Sequence, residues 1–216
     1  YIEDRSSPIY KANRIGKNHK IFKMIKIRSM KIDADKVGID STSNNDNRIT
    51  NIGKIIRRYK IDELTQLFNV LFGSMSLVGP RPNVDRDVKL YTNEEARLLS
   101  VTPGITDFAS IIFSDEGSIL EHEDDPDLAY NQLIRPWKSR LGLIYIENQS
   151  LLLDIQIVIY TFISLILKQM SINWIIKKLI KFKAEKELIR ICKRDNKLVP
   201  YPPPGQENIV MFRNNT

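Results

Sequence analysis

From Ile49 to Phe72 apolar residues recur at steps of three and four: Ile52, Ile55 and Ile56, then Ile61, Leu64, Leu67, Phe68 and Leu71. That period predicts a helix with one apolar stripe, and Gly73 is placed to cap its end. Upstream the pattern changes. The segment Ile21-Phe22-Lys23-Met24-Ile25-Lys26-Ile27-Arg28 partly alternates apolar with basic residues, and Ser7-Pro8 and Gly16-Lys17-Asn18 are turn signals. Together they predict a β-hairpin with one basic face. Residues 32–47 are polar and read as a loop.

Gly79-Pro80-Arg81-Pro82 predicts a stiff turn, because two prolines fix the backbone around one arginine. Asn93 to Leu99 is a short helix candidate, and residues from Asp127 to Arg140 read as a helix broken at Pro136. The apolar run Leu151–Leu167, interrupted by Asp154 and Gln156, predicts a helix that is either buried or laid in a membrane interface. It falls short of the ~20 apolar residues of a span. Trp174, Ile175, Ile176, Leu179 and Ile180 alternate with Lys177, Lys178, Lys181 and Lys183. That composition predicts a basic amphipathic helix, suited to a bilayer surface or, equally, to a partner or an ordinary surface. Pro200 to Pro204 is an extended proline tail. The expected fold class is α+β: a helix-rich globule with a small β-hairpin and amphipathic membrane-surface helices. Two regions are expected, 1–167 as the main domain and 168–216 as a basic C-terminal extension.

Composition narrows the chemistry. One cysteine, Cys192, excludes an internal disulfide, and two histidines argue against a multi-histidine zinc centre. The net charge of +7 is uneven. Residues 1–31 hold nine Lys or Arg against two acids, 168–199 hold ten against three, and 115–127 hold seven acids with no Lys or Arg. Such a chain seeks phosphate, whether on nucleic acid, lipid headgroups or a small ligand. The aromatic platform or recognition helix of a nucleic-acid reader is not evident.

Arg57-Arg58-x-x-x-Asp62-Glu63 is the strongest constellation. Arginine pairs with phosphate oxygens, and an adjacent carboxylate can ligate Mg²⁺ or attack phosphorus. Read alone, the two acids are most simply explained as the ordinary complement of a helix N-terminus. Three Asp-x-Asp triplets, at 33–35, 85–87 and 125–127, are a weaker signal for a metal-bound nucleotide sugar. Glycine-rich phosphate loops are missing.

Taken together these residues resemble the bacterial sugar transferases, the monotopic phosphoglycosyl transferases that load polyprenyl phosphate. Four ordered blocks carry the resemblance: Arg14-Ile15-Gly16-Lys17-Asn18 through Lys26-Ile27-Arg28-Ser29-Met30; Asp46-Asn47-Arg48-Ile49-Thr50 with Gly53 and Arg57; Asp62-Glu63-Leu64 through Gly79-Pro80-Arg81-Pro82; and Pro103-Gly104-Ile105-Thr106 with Tyr145 and Asp154.

The resemblance implies transfer of a sugar 1-phosphate from a nucleoside-diphosphate sugar, with UDP the expected nucleotide, to undecaprenyl phosphate. It assigns Asp62 as nucleophile, Asp62 and Glu63 as the Mg²⁺ side of the site, and Arg57 with the Pro80-Arg81-Pro82 turn as phosphate or nucleotide contacts. It also implies a hydrophobic segment before Tyr1 and a place on the cytoplasmic face of the bacterial inner membrane, against anionic lipid.

Thr65 stands where the family usually has proline, Ser74 where it has an acid, and Asp107-Phe108 where it has Gly-Trp. Two rival readings are an Asp-x-Asp glycosyltransferase that releases a nucleoside diphosphate and a non-enzymatic basic module on membrane or nucleic acid.

Overall fold

A computed structural model describes residues 6–38, 40–43 and 45–212. The alternating segment forms the expected hairpin, β1 (Ile9–Ile15) pairing antiparallel with β2 (Ile21–Ile27) so that Ile9 faces Ile27 and Ile15 faces Ile21. Asn18 and His19 take positive φ in the turn, and Gly16 N–H closes it on the Lys20 carbonyl at 2.8 Å.

The stripe from Ile49 to Phe72 is not one helix. It divides into α1 (Asn51–Arg58), a single 3-10 turn at Ile61–Glu63, and α2 (Gln66–Leu71). Thr50 caps α1 by accepting from Gly53 N–H at 2.9 Å. The break follows from Lys60, whose φ of 53° is left-handed and ends helical propagation. The apolar stripe survives the break, but it faces outward: Ile55, Leu64, Leu67, Phe68, Leu71 and Phe72 are all exposed.

A second sheet has no counterpart in the sequence reading. Strand β3 (Ser76–Val78) pairs in parallel with β4 (Gly104–Thr106). The backbones approach so closely that a Cβ on Gly104 would lie 2.1 Å from Gly79 N. Glycine at 104 is therefore a packing requirement.

The rest of the chain is helical. The short helix α3 (Asp85–Val88) and a 3-10 segment, Glu95–Ser100, precede β4. After it come α4 (Phe108–Ile112), α5 (Glu116–Ile119) and α6 (Pro126–Ala129). A wide π-helical stretch, Tyr130–Ile134, leads into α7 (Arg135–Asn148). Pro136 sits in the first turn of α7, where a missing N–H is tolerated, so it marks a start rather than a break. The chain continues as α8 (Leu151–Ser164), α9 (Lys168–Lys181) and α10 (Lys186–Cys192). A helix-rich α+β fold with one small hairpin results. Among the described residues no helix is long and apolar enough to cross a membrane.

The core joins α4, α7, α8, α9 and α10 through Phe108, Trp137, Leu141, Ile157, Ile175 and Leu179, all at or near zero exposure. Cys192 is buried with them, and burial pushes its thiol up to about 12. On α9, Ile172, Ile175 and Leu179 are thus taken up by the core, while Met170 and Ile180 stay exposed. Trp174 stacks on Tyr160 at 4.2 Å and lies 6.0 Å from Phe108, so its ring takes part in helix packing. Rows of apolar residues stay exposed on α8, at Leu151, Leu152, Ile155, Ile159 and Phe162, and on the α1–α2 segment.

Candidate active site

The left-handed Lys60 turns the chain so that Asp62 and Glu63 occupy the 3-10 turn between α1 and α2. Side chains then tie this turn to β2. Thr65 Oγ1 donates to the Ile25 carbonyl at 3.0 Å and to the Asp62 carbonyl at 3.3 Å. The residue that stands in for proline therefore anchors the acidic turn to the hairpin. Asn69 behaves like a further strand, accepting from Ile25 N–H at 2.9 Å and donating to the Lys23 carbonyl at 2.8 Å. Ser74 accepts from the same amide at 3.0 Å, which fixes its orientation.

The proline-braced turn closes from the other side. Pro80 and Pro82 are buried, while Arg81 between them is partly exposed and ion-paired to Glu63 Oε1. Hydrogen bonds hold the turn at both ends: Gly104 N–H donates to the Pro80 carbonyl at 3.1 Å, and Ile15 N–H to the Asn83 carbonyl at 3.0 Å. The hairpin, the acidic turn and the β3–β4 sheet thus converge on one place.

Lys26 completes the cluster, with its Nζ 3.9 Å from Glu63 Oε1. The sequence reading did not select it, although the signal was present. Strand alternation puts Lys26 on the same face as buried Met24, and a lysine on the inner face of a strand needs an anionic partner.

The electrostatics separate the two acids. Burial pushes Glu63 up, but Arg81 and Lys26 outweigh it and hold the carboxyl down at about 2. Burial raises the Asp62 carboxyl above its ordinary value; the pull of Lys26 opposes this, Glu63 adds to it, and Arg57 and Arg81 oppose it. No hydrogen bond reaches the Asp62 carboxylate among the described residues. It is a desolvated anion surrounded by cations, whereas Glu63 is committed to a partner. Lys26 is lowered to about 8, by burial first and by Arg81 next, against Glu63 and Asp62. Arg57 and Lys60 are lowered by burial while the same two acids pull them up. Cations outnumber acids around the pair, so the cluster as a whole attracts an anion of multiple charge.

Among the described residues no three His, Cys, Asp or Glu side chains group into a metal cage. The Asp62–Glu63 pair still has the composition Mg²⁺ favours, since that ion takes one or two carboxylates and completes its shell with water and substrate phosphate. The triplets serve the fold instead. Asp125 caps α6 by accepting from Asp127 and Leu128 N–H, Asp127 accepts from Asp40 and Ser41 N–H, and Asp85 pairs with Lys89 at 2.9 Å. Asp35 accepts from the Tyr10 hydroxyl at 3.5 Å. From the fourth block, the Tyr145 hydroxyl donates to Asp154 at 2.8 Å and joins α7 to α8.

Comparison with known proteins places these residues in context. The family model for bacterial sugar transferases matches residues 1–168. Among curated relatives, the galactosyl transferase CpsE of Streptococcus agalactiae is 35% identical over 170 residues, 74% of this chain and 34% of that protein. A putative undecaprenyl-phosphate N-acetylgalactosaminyl 1-phosphate transferase of Bacillus subtilis is 50% identical over 93 residues, 43% of this chain and 52% of that protein. The undecaprenyl-phosphate glucose phosphotransferase of Komagataeibacter xylinus is 38% identical over 172 residues, 74% of this chain and 29% of that protein. The chain spans about half of the second relative and about a third of the other two.

Proposed function

The chain belongs to the bacterial sugar transferase family, and on that premise we propose that it moves a sugar 1-phosphate from a nucleoside-diphosphate sugar to undecaprenyl phosphate. The observation that carries this reading is the Asp62 carboxylate, buried, free of protein hydrogen bonds among the described residues, and set among Lys26, Arg57 and Arg81. A carboxylate so placed is preorganised to attack a phosphorus atom.

In the first half-reaction an Asp62 oxygen attacks the phosphorus that bears the sugar. The bond from that phosphorus to the bridging oxygen breaks, and the nucleoside monophosphate leaves. In the second, a phosphate oxygen of undecaprenyl phosphate attacks the same phosphorus and releases Asp62. Arg57 and Arg81 orient the phosphates, and Lys26 offsets charge beside the attacking oxygen. Glu63 holds Arg81 and, with Asp62, would hold Mg²⁺. The metal would supply charge neutralisation, letting an anionic carboxylate approach an anionic diphosphate. Several relatives carry undecaprenyl phosphate in their names, and one of Xanthomonas campestris carries UDP-glucose. A UDP-sugar is therefore the donor to try first.

The acceptor is a lipid, and the exposed apolar rows of α8 and the α1–α2 segment suit contact with a bilayer. Lys54 and Arg58, exposed on α1, suit anionic headgroups. We place the enzyme on the cytoplasmic side of the bacterial inner membrane in this orientation.

Two measurements test the reading. With a UDP-sugar and undecaprenyl phosphate in vesicles, the expected released nucleotide is UMP. Release of UDP would support the Asp-x-Asp alternative, and release of neither would return the chain to a binding role. The pH profile tests the place of Lys26. Because its cationic form is the useful one, kcat/KM is present below about 8 and lost as pH rises through that value. Lys26→Arg should carry the alkaline limb upward, since a guanidinium stays protonated far above the range of a lysine ammonium. An unmoved limb would exclude Lys26 as its source.

A further inference from the structure

The segment from Tyr201 to Gly205 lies outside the family-matched residues, and its prolines prevent it from extending a helix. Proline carbonyls still accept hydrogen bonds, and here they find donors on two other elements. Arg140 NH1 donates to the Pro202 carbonyl at 3.0 Å, and Thr92 Oγ1 to the Pro204 carbonyl at 2.6 Å. Tyr201 N–H donates to the Gln132 carbonyl at 3.0 Å, and Gln132 Nε2 to the Val210 carbonyl at 2.7 Å. The Tyr201 ring lies 4.2 Å from the Trp137 ring, with the Arg140 guanidinium 5.5 Å and 5.0 Å from the two centroids. Pro203 and Pro204 are buried. This is a docked strap along α7.

One contact leads inward. The Thr92 hydroxyl that donates to Pro204 also accepts from Glu95 N–H at 3.1 Å, and Thr92 N–H donates to Glu95 Oε2 at 3.0 Å. Glu95 Oε1 in turn accepts from Arg135 Nε at 2.9 Å and from Ser139 Oγ at 2.7 Å. Arg135 and Ser139 line a hollow that also borders Arg81, Asp107 and Lys138. A continuous hydrogen-bond path thus runs from the strap to the wall beside the phosphate-binding arginine.

We propose that Tyr201–Gly205 is a positioning strap for the donor side of the site, holding the wall beside Arg81, formed by Arg135 and Ser139, through Thr92 and Glu95. The donor part rests on the transferase reading, in which Arg81 orients the phosphates of the nucleotide sugar. Thr92 and Tyr201 act through other residues, without touching substrate themselves. Thr92 is the point to test, because Thr92→Val keeps the shape and removes the hydroxyl, while Thr92→Ser restores it.

The full chain is assayed in vesicles with undecaprenyl phosphate and UDP-N-acetylgalactosamine, UDP-glucose or UDP-galactose in turn. Thr92→Val and Tyr201→Ala should raise the donor KM about three- to ten-fold, with kcat changed less than about twofold. Thr92→Ser should return KM to the parental value.

Unchanged KM in Thr92→Val, or a KM that stays raised in Thr92→Ser, would overturn the proposal. If the parent turns over none of the three donors, the transferase reading fails separately. Amide exchange over residues 92–100 then decides the strap: faster exchange in Tyr201→Ala supports its hold on the wall, and unchanged exchange refutes it.

Discussion

Asp62→Asn is expected to abolish turnover, with a fall of about 10⁴-fold or more in kcat. A carboxamide is neutral and weakly nucleophilic, so the first half-reaction loses its attacking atom while the shape of the site is kept. Stability should move the other way or stay level. Burial disfavours the ionised form of Asp62, so an uncharged isostere removes a desolvated anion without breaking any hydrogen bond to it. A variant that melts no lower than the parent yet is inactive would separate chemistry from folding. The parent incubated with donor alone should carry the mass of a sugar phosphate on the peptide containing Asp62, and the variant should not. A fully active Asp62→Asn protein would remove the mechanism, whatever the product.

The second large effect concerns stability. Arg135 and Glu95 have side chains 1% and 0% exposed, and they pair within α7 and the 3-10 segment before β4. Arg135 also donates to Asn131 Oδ1 at 2.9 Å and to the Leu90 carbonyl at 2.6 Å. Glu95→Ala would leave the guanidinium buried with its main anion gone, which should cost about 3–5 kcal/mol and lower the melting temperature by roughly 10 °C. The loss reflects a stranded charge more than the net worth of the pair. The double variant Glu95→Leu with Arg135→Met should therefore recover most of it. Denaturant midpoints of the three proteins would show this, and a loss under about 1 kcal/mol in the single variant would mean that Arg135 finds other partners.

Against these two centres the sequence was informative to different depths. The β1–β2 hairpin was legible because its alternation and turn residues are local. The apolar stripe from Ile52 to Leu71 was legible as a stripe but not as an inside or an outside. Periodicity reports that apolar residues share a face, and it is silent on what covers that face. The same gap covers Trp174, where an amphipathic pattern gave no sign that the ring stacks on Tyr160. The break at Lys60 was hidden, because a lysine gives no warning of a left-handed backbone.

The β3–β4 pairing could not be read from strands of three residues. It depends on Gly79 and Gly104 approaching one another across the fold. Asp62 and Glu63 were visible as acids with arginines nearby, and the ordered blocks around them singled them out from other acids. Their separate environments needed the structure, since Lys26 reaches them from another element. Glu95 and Arg135 gave no sequence signal at all, as partners 40 positions apart do not announce each other.

The burial of the lone cysteine has a practical consequence. Cys192 has zero exposure and a thiol held at about 12, so very little of it is thiolate near neutral pH. With no other cysteine in the chain, the folded protein is silent to maleimides and other thiol reagents. A single cysteine introduced on the outer row of α8 could then carry a spin or fluorescent label without background. It would report directly whether that row enters lipid, and how deeply.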